Sequence, residues 1–282
     1  MPVKYFSLQP TFHISAPIND SSSAHLVLES GPQGISIVIL DGNNSFAAVI
    51  VYAFPAGSTH SEYLAYLEEI MKNEQLMAGV YKKIDIIWTF PETILVPPEH
   101  MKQDLSGELL DLVFGDLEKT GGKTDFLFRH NIHNIYRVPS VIEEAFVSRF
   151  PFAGQTHQYS LLAEMVKEKG NHLLAVFYTN SVTVLFRKEG QLQLIRNFGY
   201  QEPEGAAWCL LNVCERFEAG PDDTVLHLSG MIDTGSNLYA ALYKYFLHIE
   251  LEALPGTADY TDAIKKQPSH YFSHLFASAL CV

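Results

Sequence analysis

The chain has 282 residues, room for two domains of about 140 residues each. Hydrophobic residues make up 47% and charged residues 18%, which excludes global disorder and requires a sizeable core. The formal net charge of −13, relieved only by isolated basic pairs at Lys82-Lys83 and Lys265-Lys266, excludes a nucleic-acid partner, because an acidic surface repels phosphate.

No apolar run approaches the roughly 20 residues of a membrane span. The opening MPVKYFSLQPTFHIS lacks the continuous apolar segment of a signal peptide. The cysteines are Cys209, Cys214 and Cys281. That sparse, odd count predicts a reducing cytoplasm. Cys209 and Cys214 do not share a helix face well and read as small core residues.

Residues 1–24 form a leader ending in the loop-like Asn19-Asp20-Ser21-Ser22-Ser23. It is expected to lie on the surface or to pair with a sheet edge. His25 to Phe54 reads as three strands, with turns at Gly31-Pro32-Gln33-Gly34 and Asp41-Gly42-Asn43-Asn44. Apolar residues on both faces of the middle strand predict a strand covered on both sides. A helix follows from Thr59 to Met77, opened by the capping box Thr59-x-x-Glu62. Ile84 to Phe90 reads as a buried strand and Thr93 to Pro98 as extended chain. A helix from about Glu99 to Leu117 is predicted next, ended by Gly121-Gly122. Asp125 to Val138 looks like a hairpin. Ser140-x-x-Glu143 reads as a second capping box, and Phe150 to Gly154 as the joint between halves.

A helix over 156–168 leads into the second half. There HLLAVFYTN, SVTVLFRKEG and QLQLIRNFGY repeat the grammar of HLVLESGPQG, ISIVILDGNN and SFAAVIVYAF. His25-Leu26 overlies His172-Leu173 at the same offset that sets Ile35-Ser36-Ile37 over Val182-Thr183-Val184. A helix from Pro203 to Phe217, a strand from Thr224 to Leu228 and a helix over 235–246 follow. A strand candidate from His248, a loop over 256–267 and an aromatic helix from Pro268 to Leu280 complete the chain. The pattern predicts an α/β fold of two similar lobes, at 25–153 and 154–282. Each has a three-stranded antiparallel meander, further strands and helices.

Few residues suggest chemistry. His130 and His133 would face opposite sides of a strand, and no third ligand is near them in sequence. Gly121-Gly122-Lys123-Thr124 lacks the earlier glycine and the preceding strand of a phosphate loop. No Gly-x-Ser-x-Gly elbow occurs, so a hydrolase is not supported.

Three strands, a helix, a strand and a helix, occurring twice, resembles the sub-domain pattern of the actin-like ATPase superfamily (sugar kinases, heat-shock seventy chaperones, actin), with its ribonuclease H-like architecture. Within it, HLVLESGPQGISIVILD, TILVPPEHM, YRVPSVIEEAFVSRFPFAG and HLSGMIDTGSNLYAALYKYF resemble a Bacteroidetes family catalogued as domain of unknown function 3822. The architecture also resembles cytoplasmic assembly proteins of type IV pili and type II secretion, which use the fold as a scaffold. The superfamily places an Asp near Mg²⁺ in the first hairpin, an Asp-x-Gly hairpin in the other lobe, and a Gly-rich turn at adenosine.

Here the first hairpin offers Glu29, Ser30 and Gly31. The second offers Thr179 and Asn180, with neither a carboxylate nor a glycine, and the adenosine turn is Ser229-Gly230. These seven are the candidate cofactor-binding residues, for ATP with Mg²⁺ if any nucleotide binds. Glu29 and Gly230 also have bland readings, as a strand-end carboxylate and a turn glycine. The departures point away from ATP hydrolysis, and no catalytic or metal-ligating residue is assigned. Two readings follow. One is a non-catalytic bacterial cytoplasmic scaffold or adaptor working through an unidentified protein partner. The other is a nucleotide-binding protein or weak ATPase using the interlobe cleft. The aromatic content is also compatible with a homodimer.

Overall fold

The structure is a computed structural model of the full chain. It describes residues 8–18, 20–101, 105–115, 122–165 and 169–282.

In chain order, β1 (Phe12–Ser15), β2 (His25–Gly31), β3 (Gly34–Leu40) and β4 (Ser45–Ala53) are followed by α1 (His60–Asn73) and β5 (Lys83–Trp88). β6 (Thr93–Val96), α2 (Ser106–Phe114), β7 (Lys123–Leu127), β8 (Ile132–Tyr136) and α3 (Ser140–Arg149) complete the first half. β9 (Gly154–His157) and α4 (Gln158–Met165) cross to the second. That half runs β10 (Asn171–Phe177), β11 (Ser181–Lys188), β12 (Gln191–Gly199), α5 (Pro203–Arg216), β13 (Thr224–Gly230), α6 (Asn237–Tyr243) and β14 (His248–Leu251). β15 (Asp259–Tyr260), α7 (Asp262–Lys265) and α8 (Ser273–Cys281) end the chain.

Two mixed sheets carry the lobes. The first has the order β1-β4-β3-β2-β5-β9, with β15 also on β4; the second has the order β12-β11-β10-β13-β14. Corresponding strands pair alike. β2 is antiparallel to β3 and parallel to β5, as β10 is antiparallel to β11 and parallel to β13. A third, smaller sheet, β6-β8-β7, is inserted in the first half.

The meander strands are apolar on both faces because both faces are covered. Leu26, Leu28, Ile37, Ile39, Ile50 and Trp88 pack with α1 and α3. Their alternate neighbours Val27, Val38, Val49 and Ile87 pack with Phe272, Phe276 and Leu161 of α8, its approach and α4. In the second sheet, Leu173, Ala175, Val184 and Leu226 face α5 and α6. Leu174, Val176 and Leu185 face Tyr159 and Leu162 of α4. The α4 and α8 helices therefore lie between the two sheets.

The leader's residues 12–15 pair antiparallel with β4, one of the two placements expected for it. Several other expectations change. β9 joins the first sheet beside β5, and β15 joins it beside β4, although both lie beyond residue 153. The sheets therefore do not divide the chain at one point. Ser140 makes no capping box: Pro139 stands at the N-cap, Ser140 is the first helical residue, and Glu143 instead pairs with Lys123 at 2.5 Å. The Thr59–Glu62 box does form. The helix expected from Glu99 is a single 3₁₀ turn at Pro98–His100 and a separate α2, ended by Gly115 at φ +85°. The expected helical stretches at 116–117 and 166–168, and Gly121, fall outside the described residues. The supposed loop over 256–267 holds β15 and α7.

Candidate functional site

The two meander hairpins face each other across the space between the sheets. The residue that joins them comes from α4. Asp125 of β7 fixes the start of that helix: its Oδ2 accepts hydrogen bonds from the Thr156 hydroxyl (2.9 Å), the His157 N–H (2.8 Å) and the Ser160 hydroxyl (2.7 Å). A carboxylate at a helix start satisfies donors that have no intrahelical partner. His157 is held beside it. Its Nε2–H donates to the Phe90 carbonyl (3.0 Å) and its Nδ1 accepts from the Tyr159 N–H (3.1 Å). Burial keeps this imidazole neutral, down to a pKa of about 4.

Gln158, first in α4, thereby points at Glu29. Its Nε2 donates to Glu29 Oε2 (3.2 Å) and, in a short contact, to the Tyr178 hydroxyl. The Tyr178 hydroxyl donates to Glu29 Oε1 (3.2 Å). Glu29 is buried, with 4% of its surface exposed. Desolvation drives its pKa up to about 7, against the smaller opposing pull of the Tyr178 and Gln158 hydrogen bonds. Burial, and next the Glu29 charge, push the Tyr178 phenol well above its ordinary value. The second hairpin is held in turn: the Tyr200 hydroxyl donates to the Tyr178 carbonyl (2.9 Å), and the Tyr200 N–H to the Asn180 carbonyl (3.0 Å).

The space left between the hairpins is about 60 Å³, bordered by Glu29, Ser36, Thr89, Tyr178, Thr179 and His274. Ligand pockets for small molecules span roughly 300–1,000 Å³. The space between the hairpins is smaller than that range in this closed arrangement.

The seven sequence candidates do not converge. Glu29 and Thr179 border the small cleft. The Ser30 hydroxyl is bonded to the Tyr63 hydroxyl of α1 on the far side. Gly31 lies against Thr89; a Cβ there would stand 1.9 Å from Thr89 Oγ1. Asn180 sits in the hairpin turn, with its Oδ1 buried and unpartnered. Ser229 is the penultimate residue of β13, and its hydroxyl lies 2.8 Å from Ser273 Oγ, 3.0 Å from His274 Nδ1 and 3.1 Å from the His270 carbonyl. It borders a different space, an open groove of about 530 Å³ shared with Glu164, His227, Glu252 and His274. Gly230 ends β13 at φ +84°, opposite Phe177. A Cβ there would stand 2.2 Å from the Phe177 carbonyl oxygen, which accepts the Met231 N–H (2.8 Å). Glycine is required at this position by backbone approach.

Gln158 and His274 were not legible as site residues. Nothing in the local pattern marks a first-turn glutamine or a helix-start histidine as cleft-facing. The His130–His133 pair does not form a ligand set: His130 Nε2 contacts the Ala163 carbonyl (3.1 Å), and His133 packs against Phe126. Among the described residues no cluster of three or more His, Cys, Asp or Glu could hold a metal, and no helix is long and apolar enough to cross a membrane.

Comparison with known proteins places this geometry. No curated protein matches the sequence. A crystal structure from Bacteroides thetaiotaomicron, of a protein with actin-like ATPase fold and unknown function, superposes with a TM-score of 0.76 at 16% identity, over 95% of this chain and 99% of that one. The PilM-PilN type IV pilus biogenesis complex superposes with a TM-score of 0.60 at 12% identity, over 94% of this chain and 99% of that one. The fold is thus the actin-like ATPase fold, as the duplicated grammar implied. The profile of the protein family of unknown function DUF3822 matches residues 15–249, most of the chain, and the protein belongs to that family.

Proposed function

We propose that this protein is a non-catalytic scaffold or adaptor of the bacterial cytoplasm, built on a degenerate actin-like ATPase fold and acting through protein contacts. One observation carries the reading. The carboxylate that would stand near a metal is consumed by Tyr178 and Gln158, and these contacts close the cleft to about 60 Å³. Phosphate transfer needs converging charge and a metal with room for the phosphates. Here the second lobe offers Glu29 a phenol, from Tyr178, and its hairpin carries no carboxylate. The likeness to a pilus biogenesis complex, itself an assembly of two proteins, gives the same direction by analogy of fold.

The test is thermal unfolding with and without millimolar Mg²⁺-ATP. A ligand present at 100 times its dissociation constant would stabilise the fold by about 2.7 kcal/mol. The expected result is an unchanged Tm with ATP, ADP and GTP, and no phosphate release. An upward shift that Glu29→Ala removes would overturn the scaffold reading in favour of nucleotide binding in an opened cleft.

A further inference from the structure

The second sheet ends at β14, and among the described residues no strand pairs with its outer side. The Glu252 N–H donates inward to the Leu228 carbonyl (2.9 Å). Parallel neighbours bond through alternate residues, so His248 and Glu250 turn their backbone groups toward β13. Within the strand, the N–H and C=O groups of Ile249 and Leu251 turn outward. Such an edge is a ready template for another strand. The apolar surface around it is large: Leu247 is 73% exposed, Leu251 40%, and Tyr243 and Tyr245 68% and 48%. Ile249 lies on the face covered by α5 and α6. His248 and Glu250 point to the other face, where Glu250 reaches His227 at 3.6 Å.

The edge sequence is Leu247-His248-Ile249-Glu250-Leu251, which reads apolar, basic, apolar, acidic, apolar. It is complementary to itself when reversed. An antiparallel pair centred on Ile249 sets Leu247 opposite Leu251 of the second copy, His248 opposite Glu250, and Ile249 opposite itself. In that register the outward groups of Ile249 meet those of its own copy as a hydrogen-bonded pair. The adjacent registers that keep this bonding set are centred on His248 or on Glu250, and each sets one of these residues against its own copy. Like charges directly opposite are unfavourable, and opposite charges favourable. Glu250 therefore guards the edge against a generic strand and is matched in one register.

We propose that β14 is a homodimerisation edge. Two copies pair their β14 strands antiparallel about a two-fold axis through Ile249, joining the second sheets into one continuous sheet, with Tyr243 and Tyr245 of each copy flanking the seam. This inference is independent of the scaffold reading, since a nucleotide-binding protein could associate in the same way.

The experiment is sedimentation equilibrium of the full chain over a concentration series reaching high micromolar. The expected result is a monomer–dimer equilibrium. Ile249→Pro, which removes an outward N–H and leaves the bonds to β13, should give monomer. Glu250→Lys should raise the dissociation constant by up to about tenfold through loss of the two cross-strand pairs with His248, and His248→Glu with Glu250→Lys should restore it. In a Cys281→Ser background, Ile249→Cys should form a disulfide between copies on mild oxidation, because directly opposed hydrogen-bonded residues lie at about 5.5 Å between Cα atoms, within disulfide reach. A monomer at every concentration would overturn the proposal. So would a dimer that persists in Ile249→Pro while circular dichroism shows that variant folded, or a charge swap that fails to restore association.

Discussion

The two lobes begin with the same three antiparallel strands, yet their first hairpins end differently. In the first lobe, β2 carries Glu29 toward the cleft, buried among apolar strands, and the chain turns at Gly31 and Gly34. In the second, β10 runs into Tyr178, whose hydroxyl crosses to Glu29. The two hairpin ends supply one acceptor and one donor. Duplication preserved the strands, because each lobe still needs its doubly covered sheet. The tips differ, and in this structure Tyr178 of one completes the hydrogen bonding of Glu29 in the other.

The edges differ too. The first sheet is extended by β1 on one side and β9 on the other, whereas the second ends at a bare β14. The first lobe's sheet thus ends in the short added strands β1 and β9, the second in β12 and β14. Of these, β14 is a short strand whose pattern suits a second copy.

The sharpest way to break the comparison is at the two glycines that follow Glu29 and Ser229. Gly230→Ala should destabilise the protein by about 3 kcal/mol or more, because φ is +84° and the new Cβ would press on the Phe177 carbonyl, which cannot move without breaking the β10–β13 ladder. Gly31→Ala should cost less, about 1–2 kcal/mol, since its nearest obstacle is a Thr89 hydroxyl that can rotate away, leaving the Thr89 backbone carbon and Cβ at 3.1 Å. Equal denaturant midpoints for the two variants would contradict this asymmetry.

A second effect concerns the charge of Glu29. Its pKa in the folded state, about 7, is raised above the ordinary 4.5. Proton uptake by this group therefore stabilises the fold fully below pH 4.5, and that contribution is lost as pH rises through 7. Above that pH the fold holds a desolvated carboxylate. Glu29→Gln removes the charge, and its amide can still accept from Tyr178 and donate to Gln158 Oε1, which has no partner in the native protein, once that amide turns over. The variant should gain up to about 3 kcal/mol over the native protein at about pH 8, shrinking toward zero near pH 4. Chemical denaturation at the two pH values measures this. A gain that is independent of pH would mean that Glu29 does not titrate in this range.

A smaller effect than those of Gly230 and Glu29 is expected from Tyr178→Phe, at about 1–2 kcal/mol of destabilisation, from loss of the hydroxyl that donates to Glu29 and accepts from Gln158. The loss should be less when Glu29→Gln is already present, because a neutral acceptor is less costly to leave unpaired. A double-mutant cycle with no coupling would separate the two hairpins energetically and remove the basis of the comparison.

Much of the fold was legible. Strand periodicity, turn residues and the Thr59 capping box are local features, and the repeated grammar exposed the lobes because each had to bury a sheet on both faces. Where local signals failed, tertiary contacts had overruled them. Ser140-x-x-Glu143 has the letters of a capping box, but Pro139 takes the cap and Lys123, from another sheet, takes the glutamate. A four-residue strand such as Gly154–His157 carries too little pattern to be told from a joint, and becomes a strand because β5 offers it an edge.

Of the candidate site, the sequence determined the residue types: a glutamate in place of an aspartate, a hairpin without carboxylate or glycine, and a glycine at the end of β13. Only the tertiary structure decided their roles. Hydrogen bonds and desolvation depend on which groups meet, and Glu29, Gln158 and Tyr178 lie far apart along the chain. Their meeting required Asp125 to fix the start of α4 and both sheets to close on that helix. That closure makes Glu29 a buried acceptor that joins the two lobes.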